Sequence, residues 1–213
     1  MDKLLLDLGY QPLVNNLCKD RESSLNAQMY PLKAVYNKDL LINLDTEISP
    51  NTLYKEYLYR TGINVPYIKH CEKMFDTIKH LKSDVIIDIG GNDGTLLKTF
   101  KRMFNKQKNN SQKRFINVDA SSSFSEANES EGIEFINEFF NENIQLPKAN
   151  IITSTNVFQH TKDIESFLKG IVKFLDGVWV LEFPYTLKTL DTLQFDQFYH
   201  EHYYYWLVDV KKL

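Results

Sequence analysis

One stretch constrains this 213-residue chain more than any other: Asp84-Val-Ile-Ile-Asp-Ile-Gly-Gly-Asn-Asp-Gly-Thr95. Val85, Ile86, Ile87 and Ile89 form a short apolar run, the pattern of a parallel strand buried on both faces. The run stops at Gly90-Gly91-Asn92-Asp93-Gly94, which can turn sharply and bring backbone close to a ligand. Leu96, Leu97, Phe100 and Phe104 follow at helical spacing. Strand, glycine-rich turn and helix make the opening unit of a nucleotide-binding α/β domain. Such a unit needs a carboxylate after its next strand to bind a ribose. Phe115-Ile-Asn-Val-Asp119 supplies it, 25 residues beyond Gly94 and near the roughly 20 expected. The glycines are not a GxGxxG, so a nucleoside is expected ahead of a dinucleotide.

The length suits one α/β domain with a small appendage. A net charge of −3 without a large basic block argues against nucleic-acid binding by bulk electrostatics. The lysines of residues 101–108, with Asn109, Asn110 and Lys113, read as a solvated helix end and loop. Cys18 and Cys71 are far apart and show no pairing pattern, which fits a reduced, cytoplasmic setting. No run of 18 apolar residues exists, so no membrane span is predicted. Leu4-Leu5-Leu6, flanked by Asp2 and Asp7, makes a poor signal peptide.

Residues 1–64 read as an irregular arm, with turn signals at Gly9, Pro12, Pro31 and Pro50 and short strands at 34–36 and 40–44. Tyr57-Leu-Tyr-Arg-Thr-Gly62 is a compact aromatic loop. Its tyrosines either anchor the arm or face a ligand, and the pattern alone favours anchoring. Residues 65–213 read as the core. Ile68, Cys71, Met74, Phe75, Ile78 and Leu81 share one helical stripe, with Pro66 in the first turn. The opening strand and its helix come next, then a strand at 114–118, a short helix at 121–129 and strands at 133–136 and 150–154. A helix at 163–174 with Asp163 in its first turn and a strand at 178–183 complete the pattern. This alternation predicts a mostly parallel sheet with helices on both faces and the ligand at the carboxyl ends of the strands.

Residues 195–206 hold His200, Glu201, His202 and four tyrosines, a dense set of proton-moving groups. His200-Glu201-His202 is not HExxH, and a regular helix would point the two histidines to different faces, so no metal is expected there. An aromatic helix packed on the sheet and an acid–base site both remain open from the residues alone.

The form Asp88-Ile-Gly-Gly-Asn-Asp-Gly94 resembles motif I of S-adenosylmethionine (SAM) methyltransferases. The chain as a whole resembles the sugar C-methyltransferases that alkylate dTDP-linked ketodeoxysugars. The family's L-D-L-G-x-x-P-L-x-N arm corresponds to residues 6–15, its Y-x-Y-x-S-S loop to residues 57–62 and its N-V-x-x-H stretch to residues 156–160. Its E-F-P-Y corresponds to residues 182–185 and its Y-H-E-H to residues 199–202. Two departures stand out. The family's arm binds zinc through two cysteine pairs. This chain begins after the place of the first pair and has Asn37 and Leu40 at the second, so no structural zinc is expected. The chain also stops at Lys211-Lys-Leu213, before two further strands and a domain that family members carry. It is expected to be either a fragment or a reduced protein whose pocket is open or completed by another copy or a partner chain.

The resemblance implies a Rossmann-like class I methyltransferase core. Gly90, Asn92, Asp93 and Gly94 would approach the cofactor, with Asp119 on the ribose hydroxyls, Asn156 near the sulfonium and Tyr59 also at the cofactor. The substrate would be a nucleotide-linked deoxy or keto sugar. His202 would be the base, with Glu201 and Tyr199 orienting it or stabilising an enolate. O-methylation of a sugar hydroxyl would need the same parts. A non-catalytic SAM-fold binding module and a nicotinamide-dependent dehydrogenase are the rival readings.

Overall fold

A computed structural model describes residues 2–37, 41–54, 59–107 and 112–207. Leu40, Tyr57, Leu58, Lys108, Asn109, Asn110 and the closing Lys211, Lys212 and Leu213 lie outside the described residues. In chain order the arm contains β1 (Lys3–Pro12), α1 (Arg21–Leu25), β2 (Met29–Tyr36), β3 (Ile42–Leu44) and α2 (Pro50–Tyr54). Next come α3 (Val65–Ile78), β4 (Val85–Ile89), α4 (Thr95–Lys106), β5 (Arg114–Val118), α5 (Ser125–Glu129), β6 (Glu134–Ile136) and β7 (Ala149–Thr155). The chain continues through α6 (Ile164–Phe174), β8 (Leu175–Glu182), α7 (Thr186–Asp191) and β9 (Tyr204–Tyr205).

These elements fall into two compact units. One comprises residues 54–157 and 163–182; the other comprises residues 1–53, 158–162 and 183–213. The sequence placed a single boundary near residue 64. The tail instead groups with the arm, because β9 pairs antiparallel with β3.

The larger unit is a five-stranded parallel sheet of order β6-β5-β4-β7-β8. This is the Rossmann-like α/β architecture expected. Ile86, Ile87 and Ile89 of β4 are fully or nearly fully buried, as a central strand covered on both faces requires. Cys71, Phe75 and Ile78 of α3 pack with Leu96, Leu97, Phe100 and Phe104 of α4 over that strand. Phe75 lies edge-on to Phe104 at 4.7 Å between ring centroids. The amide oxygen of Asn64 caps α3 by accepting from Tyr67 N, which lets Pro66 fall in the first turn. Asp163 is the N-cap of α6 rather than a first-turn residue, its carboxylate accepting from Ser166 N. β8 begins three residues earlier than the apolar run at Val178, directly after α6.

The arm is more regular than the sequence suggested. It forms a four-stranded antiparallel sheet of order β1-β2-β3-β9. β1 lacked clean alternation because its pairing with β2 shifts register between Leu4 and Leu6 and again between Asp7 and Tyr10. Residues 195–206 are not a helix. A 3-10 turn at Phe195–Gln197 leads to a tight turn, closed by His202 N donating to Tyr199 O, and then to β9. Phe198 stacks on Tyr205 at 4.5 Å within a core that includes Leu32, Ala34, Ile42 and Leu44. Asn37 serves the β2–β3 connection, its amide oxygen accepting from Leu41 N. Among the described residues no group of three or more His, Cys, Asp or Glu is placed to hold a metal ion. No helix among them is long and apolar enough to cross a membrane.

Candidate functional site

In the larger unit the glycine loop joins β4 to α4 at the carboxyl end of the sheet. Gly94 adopts φ +77°, and an added Cβ would collide with Asn128 Oδ1. At Gly91 a Cβ would stand 2.5 Å from Asn117 Oδ1 and 2.7 Å from Asp88 Oδ2. These positions are glycine because buried polar side chains press against the loop from behind. Asn117 Nδ2 donates to Asn92 O and Asn128 Oδ1, while Asn128 Nδ2 donates to Asn92 O and Phe124 O.

Every backbone N–H from Gly90 to Gly94 is already engaged. Gly90 N donates to Val118 O, Gly91 N to Asn117 Oδ1, Asn92 N to Asp119 Oδ2, Asp93 N to Asn92 Oδ1 and Gly94 N to Gly91 O. The loop therefore offers no backbone donors to a phosphate, unlike a dinucleotide-binding turn. It offers carboxylates instead. Asp119, at the end of β5, accepts from Asn92 N at 2.9 Å and Ser121 N at 2.8 Å. Burial raises its carboxyl above the ordinary range, against those two hydrogen bonds. Asp88, fully buried at the end of β4, accepts from Thr153 Oγ1 at 2.6 Å. Burial pushes it up to about 7, and the charge of Asp119 adds to the shift.

Asn92 and Asp93 use their side chains on protein rather than facing open space. Asn92 Nδ2 donates to Tyr59 O and its Oδ1 accepts from Thr61 N. Asp93 accepts from Thr61 Oγ1 at 2.7 Å, Thr95 Oγ1 at 2.6 Å and Gly62 N at 2.9 Å. Burial opposes ionisation of Asp93, but these bonds and the charge of Lys98 hold its carboxyl below the ordinary range. Together they tie residues 59–62 onto the loop, leaving the Tyr59 side chain exposed. Asn156 adopts φ +55° after β7, and its N–H donates to Glu182 O. Beside it, His70 Nε2 meets Glu182 Oε2 at 2.6 Å and Tyr67 shares a 2.9 Å hydrogen bond with Thr155 Oγ1.

In the smaller unit, His160 and His202 meet edge-on at 4.7 Å, and Tyr199 lies 4.0 Å from the His202 ring. A carbonyl only accepts, so its contacts assign the tautomers. His202 Nδ1–H donates to Gln197 O at 3.0 Å, and His160 Nδ1–H donates to Glu201 O at 2.8 Å. The lone pair of His202 is thereby placed on Nε2. Glu201 is buried, and its Oε1 accepts from Asn15 Nδ2 at 2.6 Å. His200 points elsewhere, donating from Nε2 to Pro31 O and packing edge-on to Tyr30.

Burial lowers His160 to about 4, and burial plus the neighbouring His160 lowers His202 to about 3. Both rings are therefore neutral in the fold and become protonated on unfolding below about pH 6.5. Stability is fully present above that pH and is lost as pH falls towards the folded values. The cost is roughly 2 kcal/mol per ring at about pH 5. Urea unfolding at neutral and acid pH should show a steeper acid loss in the wild type than in a His160→Gln, His202→Asn double variant. Equal slopes would contradict this assignment.

Sequence reasoning missed Asp88, Asn117, Asn128 and Asn15. Asp88 stands inside an apolar run, and the amides form no local pattern. Asn15 fell within the quoted arm motif, but only the fold pairs it with Glu201, 186 residues away.

The chain is similar to a protein described as the C-methyltransferase NovU of Streptomyces niveus, with 26% identity over 94% of this chain and 49% of that protein. The chain thus spans about half the length of this curated relative. No family model matches the sequence. Among solved structures, the YcgJ protein of Bacillus subtilis aligns with a TM-score of 0.52 at 17% identity, covering 68% of this chain and 64% of that one. A SAM-dependent methyltransferase of Clostridium acetobutylicum aligns with a TM-score of 0.49 at 17% identity, covering 62% and 56%. The fold is Rossmann-like α/β, shared with YcgJ.

Proposed function

We propose that the protein is a SAM-dependent methyltransferase acting on a small molecule, a nucleotide-linked deoxy or keto sugar, with methylation at carbon. The observation that carries the cofactor reading is the glycine loop. Its N–H donors are spent internally, and carboxylates flank it. That set suits a nucleoside bearing ribose hydroxyls and an ammonium group, and it disfavours a pyrophosphate. The nicotinamide-dehydrogenase reading loses its support on the same ground. Methylation at carbon is supported by the name of the Streptomyces niveus relative and by the ordered motifs from the arm to residues 199–202.

Asp119 would accept from the ribose hydroxyls through lone pairs that Asn92 and Ser121 leave available. Asp88, buried behind Gly91, would act on the ammonium group through its charge rather than by contact. SAM would supply an electrophilic methyl group when bound. His202 would take the proton beside the sugar carbonyl at Nε2, with Tyr199 beside it and Glu201 held by Asn15.

Asp119→Ala should weaken SAM binding by about 1.5–3 kcal/mol for each charge-assisted hydrogen bond lost. Calorimetry checks this, and unchanged affinity would remove Asp119 from the ribose role. Because burial raises the Asp119 carboxyl, affinity should begin to fall at a higher pH than an ordinary aspartate would dictate.

A further inference from the structure

We infer that Arg60 binds the α-carboxylate of the cofactor's amino-acid moiety, an inference that rests on the cofactor reading above. A SAM-type ligand carries that carboxylate alongside its ammonium group, and the carboxylate needs donors. The loop has none to offer, since each N–H from Gly90 to Gly94 is engaged. Asp88, Asp93 and Asp119 would repel it. Lys98, a cation felt by the loop, already acts on the Asp93 carboxylate.

Arg60 lies in the segment that the cofactor loop holds. Its neighbours are both captured by one side chain: Asn92 Nδ2 donates to Tyr59 O at 2.9 Å, and Asn92 Oδ1 accepts from Thr61 N at 3.2 Å. Asp93 adds the contacts to Thr61 Oγ1 and Gly62 N. The approach is close enough that a Cβ on Gly62 would stand 2.8 Å from Asp93 Oδ2. Arg60 is thus carried by a segment fixed to the cofactor loop. Its own side chain is exposed and forms no ion pair among the described residues. A guanidinium is the side chain best shaped for bidentate capture of a carboxylate. The same tether gives Asn92 and Asp93 a purpose that direct contact with the cofactor does not: they hold the cation in place.

The test compares two ligands that differ in this group. S-adenosylhomocysteine carries the amino-acid end, and 5′-methylthioadenosine lacks it. By calorimetry Arg60→Ala should lower affinity for the first roughly 10–100-fold, as expected for a charge-assisted pair. It should leave the second within about twofold, because the nucleoside contacts are untouched. Arg60→Lys should recover part of the loss, since it restores charge without the fork. Thermal melting of both variants checks that they remain folded. Equal losses for the two ligands, or no loss for S-adenosylhomocysteine, would overturn the role of Arg60 and leave the cofactor reading standing. A wild-type protein that binds neither ligand would remove the cofactor reading and this inference with it.

Discussion

His202→Asn is expected to reduce methyl transfer by roughly 10²–10⁴-fold, the usual worth of a positioned general base, while leaving SAM affinity nearly intact. The ring is set up for one task. Nδ1–H is committed to Gln197 O, so only Nε2 can accept a proton. The cofactor contacts assigned above lie on other segments, which is why binding should survive. An ordinary imidazole would make the rate depend on pH near neutrality. Burial and His160 place the free-protein value at about 3, so the acid limb should lie well below neutrality. His200→Ala is the control. That ring donates to Pro31 O within the arm, and its loss should cost turnover less than about tenfold. Equal modest losses for the two histidines, with turnover retained, would return His202 to a packing role.

Gly94→Ala should be the most damaging single methyl group in the cofactor loop. The backbone at φ +77° is left-handed, which costs a residue with a Cβ about 1–2 kcal/mol. The new carbon would also collide with Asn128 Oδ1, and Asn128 is fully buried. Overpacking of that kind adds about 1–3 kcal/mol. Asn128 cannot retreat without releasing Asn117, Asn92 O and Phe124 O. A destabilisation of about 2–5 kcal/mol is therefore expected, with a fall in melting temperature on the order of 10 °C. Binding of S-adenosylhomocysteine should be lost in parallel. A variant that melts and binds like the wild type would contradict the proposed fit between loop and amide network.

The parts of this molecule legible in the sequence are those encoded locally. The β4 run, the glycine turn and the α4 stripe each follow from neighbouring residues, and the chain spacing brought Asp119 to them. The parts that were hidden depend on distant partners. β9 is two residues long and exists only through Ile42 and Asn43, so its aromatic sequence looked helical. β1 was obscured by its register shifts. The roles of Asn92 and Asp93 were read as ligand contacts because they stand in the glycine turn. Their hydrogen bonds to residues 59–62 could be found only in three dimensions. The histidines were legible as proton-moving groups, but their tautomers and depressed basicity come from burial and from carbonyls on other segments.

The most direct measurement is mass-spectrometric detection of methyl transfer. The protein would be incubated with methyl-deuterated SAM and a panel of nucleotide-linked keto and non-keto deoxysugars. The account predicts a labelled methyl group on a carbon next to the carbonyl of a keto sugar, formed by the wild type and lost in His202→Asn. A label on a hydroxyl oxygen would contradict methylation at carbon. If S-adenosylhomocysteine binds but no sugar in the panel gains the label, the catalytic reading of this chain is contradicted.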